Sequence, residues 1–263
     1  IINYEFKNII SLIYVSVSIF SWIKRMSRNI VIIGSSGTIG SSLVNIYKKN
    51  LEDNIFAFSR GYNFMHAANV VQDHIDILDE ESIENTVAKY FKEKSIDILI
   101  VATGLLHNDA LFPEKSIRDI SLEKFQKLFS INTIAPALIF KHFINSISRE
   151  KRTILAAFSA RVGSISDNKI GGWHSYRASK SALNMIIKNF SIEIGRKYKK
   201  SIIVGLHPGT VDSKLSKPFQ KNVPSEKLFT GEYSASKIIK VLEDLNIEDT
   251  GKCFDFNALE IYP

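Results

Sequence analysis

Asn29-Ile-Val-Ile-Ile-Gly34-Ser-Ser-Gly37-Thr-Ile-Gly40 is the stretch that decides the fold class of this 263-residue chain. Its first five residues form a short apolar, β-branched run, the pattern of a strand buried on both faces. The glycine-rich turn leads into Ser41-Ser-Leu-Val-Asn-Ile-Tyr-Lys-Lys49, which reads as a helix. Glycine in such a turn lets the chain bend sharply and brings backbone close to a pyrophosphate, while the helix N-terminus faces the phosphates. An ordinary strand-to-helix loop can carry the same spacing, so the reading depends on the segments downstream of the turn.

Asn54-Ile-Phe-Ala-Phe58 predicts a second strand, ending in Ser59-Arg60. No Asp or Glu stands at that end to hold a ribose 2′-hydroxyl, and Arg60 offers a positive fork for a 2′-phosphate. This favours NADP(H) over NAD(H). Further strands are predicted near 70–75, ending at Asp76; at 96–102, ending in Thr103-Gly104; at 154–158, ending at Ser159; and at 201–206, ending in His207-Pro-Gly-Thr210. Helices fall between them, at about 80–93, 121–148, 176–197 and 234–245. The alternation predicts an α/β fold, a single Rossmann-type doubly wound parallel β-sheet with helices on both faces. Ligands of such sheets bind at the carboxyl ends of the strands, where the polar features of this sequence gather.

Tyr176 and Lys180 share the segment Ser175-Tyr-Arg-Ala-Ser-Lys180. Four residues apart on a helix, they lie on one face. A phenol beside an ammonium is expected to have a lowered pKa and to exchange a proton with an alcohol or carbonyl oxygen.

Taken with Ala102-Thr-Gly-Leu-Leu-His107, Pro113-Glu-Lys-Ser-Ile-Arg118, Ser159-Ala-Arg-Val-Gly-Ser-Ile-Ser-Asp-Asn168, Gly171-Gly-Trp-His-Ser-Tyr-Arg-Ala-Ser-Lys180 and Leu206-His-Pro-Gly-Thr-Val-Asp212, the chain resembles the short-chain dehydrogenase/reductase family. The likeness runs from about Ser27 to the C-terminus, and within the family it is to the C-factor-like and sniffer-type carbonyl reductase branch. The resemblance implies Tyr176 as general acid/base and Lys180 as its partner, also holding the nicotinamide ribose. Asn132 matches the family's helix asparagine, which supports a water linking Lys180 to solvent. The catalytic serine is implied at Ser159 when counted from the strand, whereas counting back from Gly163 puts Ala160 there; Ser164 is the fallback. For the cofactor, the resemblance implies Gly34, Ser36 or Ser35, Gly37, Ile39 and Gly40 in the turn, with Thr38 in place of a common glycine. It adds Arg60, Asp76 and Ile77, the segment Ala102, Thr103 and Gly104, and Pro208, Gly209, Thr210 and Val211 over the nicotinamide.

The rest of the sequence bounds the setting. At 45% hydrophobic, 263 residues can bury one large core. One cysteine, Cys253, excludes an internal disulfide and suits a reducing, cytoplasmic compartment. The six histidines show no metal-site spacing, and a net charge of +7 is spread over helix faces rather than clustered with aromatics, which argues against a nucleic-acid partner. Residues 1–25 precede the domain expected at 26–263. Ile9 to Ile23 is apolar but short for a membrane span and is followed by Lys24-Arg25. It reads either as a membrane-associating segment or, the favoured reading, as sequence upstream of a true start at Met26. The loop of about 213–231 is the expected substrate lid, with Leu215, Phe219, Leu228 and Phe229 facing Trp173 and Leu105-Leu106. Together these predict an NADP(H)-dependent oxidoreductase acting on an apolar carbonyl or alcohol. The alternative is a cofactor-binding signalling or regulatory protein on the same fold. Family likeness also implies a homodimer or homotetramer.

Overall fold

A computed structural model describes residues 27–61 and 66–263; the expectations for residues 1–25 and for Met26 lie outside them. Strands β1 (Asn29–Ile33), β2 (Asn54–Ser59), β3 (Val70–His74), β4 (Ile98–Val101), β5 (Thr153–Phe158), β6 (Ser201–His207) and β9 (Cys253–Asp255) form one seven-stranded sheet. Its order is β3-β2-β1-β4-β5-β6-β9, and every pairing is parallel. Two short strands, β7 (Thr210–Val211) and β8 (Leu228–Phe229), pair separately after β6. The sheet is the predicted doubly wound α/β architecture. Among the described residues no helix is long and apolar enough to cross a membrane.

Alternation along β1 explains the two-sided core. Ile30 and Ile32 enter one apolar cluster with Leu43 and Val44 of α1 (Thr38–Tyr47) and Ile238 and Leu242 of α6 (Gly231–Asp244). Val31 and Ile33 face the other way. They join Ile83 of α2 (Glu80–Phe91), Ile139 of α4 (Ala135–Phe143) and Leu183 of α5 (His174–Lys197). In register, Ile33 pairs with both Phe58 and Val101, so the glycine turn leaves the sheet level with the ends of β2 and β4. The strand order reverses between β1 and β4, which opens a crevice above the carboxyl ends.

Four elements differ from the sequence expectation. The predicted helix at 121–148 is broken into α3 (Leu122–Phe129), a π-turn at Ser130–Ile134, α4 and a 3₁₀ turn at Ile144–Ser146. Pro136 has no N–H to donate to the preceding turn, which widens there. The seventh strand, β9, went unpredicted; three residues carry too little periodicity to read. Both α5 and α6 begin earlier than expected, α6 capped by Thr230, whose hydroxyl accepts from Tyr233 N at 3.1 Å.

A two-pronged ion pair fixes the entry to β1. Arg28 Nε and Nη2 donate to Asp53 Oδ1 and Oδ2 at 3.0 and 2.6 Å, and Asn50 adds a third bond at 3.0 Å. Asp53 is buried, so Asp53→Ala is expected to cost about 2 kcal/mol by leaving these donors without their acceptor. Urea denaturation of the two proteins measures it; a change below about 0.5 kcal/mol would place the pair among ordinary surface bridges.

Candidate active site

The turn after β1 is tight at two of its glycines. Gly34 has φ +88°, and a Cβ there would lie 2.8 Å from Thr103 Cγ2 and 3.0 Å from the Ala102 carbonyl oxygen. A Cβ at Gly40 would lie 2.2 Å from the Gly34 carbonyl oxygen, whereas at Gly37 the same oxygen is 3.4 Å away. Ile39 is half-buried and packs, like Ala102, against the β1 core. Thr103 Oγ1 is buried without a hydrogen-bond partner, a polar atom that protein alone leaves unsatisfied beside the turn. Ser35 is held by its own bond to Ser59 Oγ at 3.3 Å, while Ser36 is exposed. Arg60 is exposed at the end of β2. Asp76 turns one carboxylate oxygen back to Leu78 N at 3.0 Å, and Ile77 is in the core.

Tyr176 and Lys180 lie on the buried face of α5, 8% and 3% exposed. Lys180 Nζ donates to the Phe158 carbonyl oxygen at 2.7 Å. It lies 6.0 Å from the centre of the Tyr176 ring. Gly104 fits beside both Lys180 and Asn132: a Cβ there would be 3.6 Å from Lys180 Nζ and 3.7 Å from Asn132 Oδ1. Asn132, wholly buried in the π-turn, pairs with Leu105 through both its amide and its oxygen at 2.8 Å. Its amide also reaches Ser179 Oγ at 3.1 Å, and Thr133 Oγ1 donates to Ser179 O at 2.8 Å. The π-turn thus docks the β4 loop onto the helix that carries Tyr176.

The electrostatics correct one expectation. Burial pushes the Tyr176 phenol up to about 12, with no lowering by Lys180. The same burial pushes the Lys180 ammonium down to about 8, partly offset by the nearby Cys253 thiol. Removal from water disfavours both charged forms, and here it outweighs their mutual influence. At neutral pH the phenol therefore holds its proton, and the site is poised as an acid. Burial and then Arg161 push His207, at the end of β6, down to about 4, so its ring is neutral.

Ser159, the expected serine, is held by a bond of its own. Ser159 donates its hydroxyl to Asn184 Oδ1 at 2.6 Å, two helical turns beyond Tyr176. Ala160, the next residue, joins Tyr176, Leu106, Leu111 and Leu128 in one buried apolar cluster. Gly163 packs on the Lys180 backbone, where a Cβ would be 2.9 Å from Lys180 C. Ser164 is engaged elsewhere, accepting from Asp167 N at 3.1 Å and pairing with Ser166 at 3.3 Å.

Part of the predicted lid reaches the site. Phe219 stacks edge-on against Trp173 at 5.0 Å and against His107 at 5.4 Å. His107 Nε2 donates to the Lys214 and Leu215 carbonyl oxygens, each at 3.1 Å, which ties the loop to the β4 side. Phe229 instead packs on Phe256 and Tyr233 at 4.7 and 4.9 Å, and with Leu228 it anchors the loop base to Thr210 and Val211. Gly209, at φ +78°, lies under the Phe229 ring, and Pro208 O accepts from Ser234 at 2.8 Å.

A 1-hydroxy-2-glutathionyl-2-methyl-3-butene dehydrogenase of Rhodococcus sp. (strain AD45) is 27% identical over 227 residues, covering 85% of this chain and 94% of its own. The C-signal protein of Myxococcus xanthus is 26% identical over 146 residues, 56% of this chain and 82% of its own. The crystal structure of NADPH-bound carbonyl reductase from chicken fatty liver superposes with a TM-score of 0.77 at 23% identity, over 90% of this chain and all of that one, a likeness of fold. The short chain dehydrogenase model matches residues 28–224, and with the parallel sheet, the glycine turn and the Tyr176–Lys180 face already in view, the chain belongs to that family of oxidoreductases.

Proposed function

We propose that the protein is an NADP(H)-dependent oxidoreductase acting on a carbonyl/alcohol pair, with Tyr176 as the proton donor in reduction. The observation that carries this reading is the buried phenol of Tyr176 on one helix face with Lys180, in an apolar cluster with Leu106, Leu111 and Leu128. A nicotinamide dinucleotide supplies or takes up the hydride. Gly34, Ser36, Gly37, Ile39 and Gly40 are suited to its pyrophosphate, Thr103 with Ala102 and Gly104 to its adenine-side ribose, and Asp76 and Ile77 to the adenine edge. Asn132, Lys180, Pro208, Gly209, Thr210 and Val211 fit the nicotinamide end. Tyr176 protonates the substrate oxygen, Lys180 supplies positive charge beside it, and Phe219, Trp173 and Leu106 keep water from an apolar substrate.

Arg60 sets the cofactor preference through a 2′-phosphate. NADPH is expected to bind about tenfold more tightly than NADH, with Arg60→Ala bringing the two together through the loss of a charge-assisted contact. Equal affinities in the parent protein would overturn the preference. NADPH oxidation over a panel of apolar ketones, aldehydes and quinones, with Lys180→Ala as control, tests the activity; no turnover of any member contradicts it. The C-signal relative supports a second reading, a signalling role on the same fold. A biological effect that persists in Tyr176→Phe cells lacking reduction would favour it.

A further inference from the structure

Glu114 is a carboxylate with no exposed surface, on the loop between β4 and α3. The cofactor and proton-transfer roles above do not use it. Its Oε1 accepts from Ser175 Oγ and its Oε2 from Ser175 N at 3.3 Å. Its own carbonyl oxygen accepts from Trp173 N at 2.6 Å. Among the described residues, no cationic side chain pairs with it.

What it meets instead is the start of α5. The residue before that helix, Trp173, is left-handed at φ +51° and offers no side-chain cap. Gly172 precedes it at φ +66°. The first amides of a helix need acceptors from somewhere, and here a distant segment supplies them. The Ser175 hydroxyl and N–H both donate to the Glu114 carboxyl group, so this buried group has hydrogen-bond partners without a cation. Ser175, gripped through both its backbone and its side chain, is the residue before Tyr176. The same loop carries Leu111, in the Tyr176 cluster, and Phe112, stacked on His107 at 5.7 Å. One short segment therefore builds a wall of the cleft and clamps the turn bearing the phenol.

We infer that Glu114 is a positioning residue for proton transfer: by clamping the first turn of α5 it sets where the Tyr176 hydroxyl sits relative to the substrate oxygen. The inference rests on the oxidoreductase reading above. Glu114 acts through geometry, since burial alone moves the phenol's acidity. Its loss should lower kcat, leaving cofactor affinity and the pH profile in place.

The test compares Glu114→Gln, which keeps one acceptor oxygen, with Glu114→Ala, Ser175→Ala and the double Ala variant, beside the parent and Tyr176→Phe. A small misplacement of a reacting group is costly, so kcat should fall about tenfold in Glu114→Gln and on the order of 100-fold in Glu114→Ala. NADPH affinity, read by fluorescence titration, should stay within about twofold, because no cofactor contact is removed. Ser175→Ala should add nothing in the Glu114→Ala background, as expected for two halves of one contact. If Glu114→Ala does not fold, the Gln and Ser175 variants carry the test. Full kcat in Glu114→Gln and Ser175→Ala, with Tyr176→Phe inactive, overturns the clamp alone. So does a loss of NADPH affinity that accounts for the loss of rate. A parent protein inactive on every carbonyl overturns the oxidoreductase reading, and the clamp with it.

Discussion

Replacing Tyr176 with Phe should lower kcat/KM for carbonyl reduction about 10³-fold, within the range a positioned general acid contributes. The variant isolates the hydroxyl. The ring keeps its place against Trp173, 6.2 Å away, and within the apolar cluster of Leu106, Leu111 and Leu128. Among the described residues, no protein group depends on that hydroxyl for a hydrogen bond, so its removal orphans nothing. Stability and NADPH affinity should therefore be nearly unchanged while the chemical step collapses. The pH dependence has a definite sign. The phenol, pushed up to about 12, stays protonated across the working range. Lys180, pushed down to about 8, carries its charge below that pH and loses it above. In the parent enzyme kcat/KM for reduction should therefore be flat below about pH 8 and fall above it, as the charge beside the reacting oxygen is lost. A Tyr176→Phe enzyme keeping more than about a tenth of the parent kcat/KM would assign the proton to another group.

Gly40→Ala should weaken NADPH binding on the order of 100-fold and cost about 2 kcal/mol or more of stability, because the added methyl overpacks the turn. Its Cβ would sit 2.2 Å from the Gly34 carbonyl oxygen, 2.9 Å from Gly34 C and 3.0 Å from Ser35 Cα. All three are backbone atoms, so no side chain can rotate away, and either the turn or the helix start must move. Gly37 makes the comparison informative. A Cβ there meets only the Gly34 oxygen at 3.4 Å, so Gly37→Ala should cost much less stability. NADPH fluorescence titration and denaturant midpoints measure these effects; equal stability losses at the two positions would contradict the steric argument. The difference also bears on Thr38, whose side chain the turn accommodates in place of a glycine common in the family.

Much of this could be read from local pattern. A β-branched run before glycines marks a buried parallel strand wherever it occurs, and the repeat of that pattern at β2, β4, β5 and β6 gave the layered sheet. Four-residue spacing put Tyr176 and Lys180 on one helix face without any knowledge of what covers it. The missed features are those that local pattern does not encode. The strand β9 is too short to show a period, and it exists because β6 leaves an edge for it: Gly205 pairs with Cys253. The π-turn at Asn132 follows from Pro136 and from bonds to Leu105 and Ser179, residues far away in sequence. No spacing signals Glu114; only the burial of an acid in the Pro113-Glu-Lys-Ser segment, visible once folded, points to it.

The sequence by itself determined the fold class, the place of the glycine turn and the pairing of phenol with ammonium, because period and backbone sterics are properties of neighbouring residues. Tertiary structure alone decided the direction in which burial moves the Tyr176 pKa, the bond that engages Ser159, and the buried carboxylate that meets the start of its helix. Each of those depends on which distant segments exclude water and on which way a side chain turns at the end of a strand. Desolvation and side-chain direction arise only when the packed elements meet.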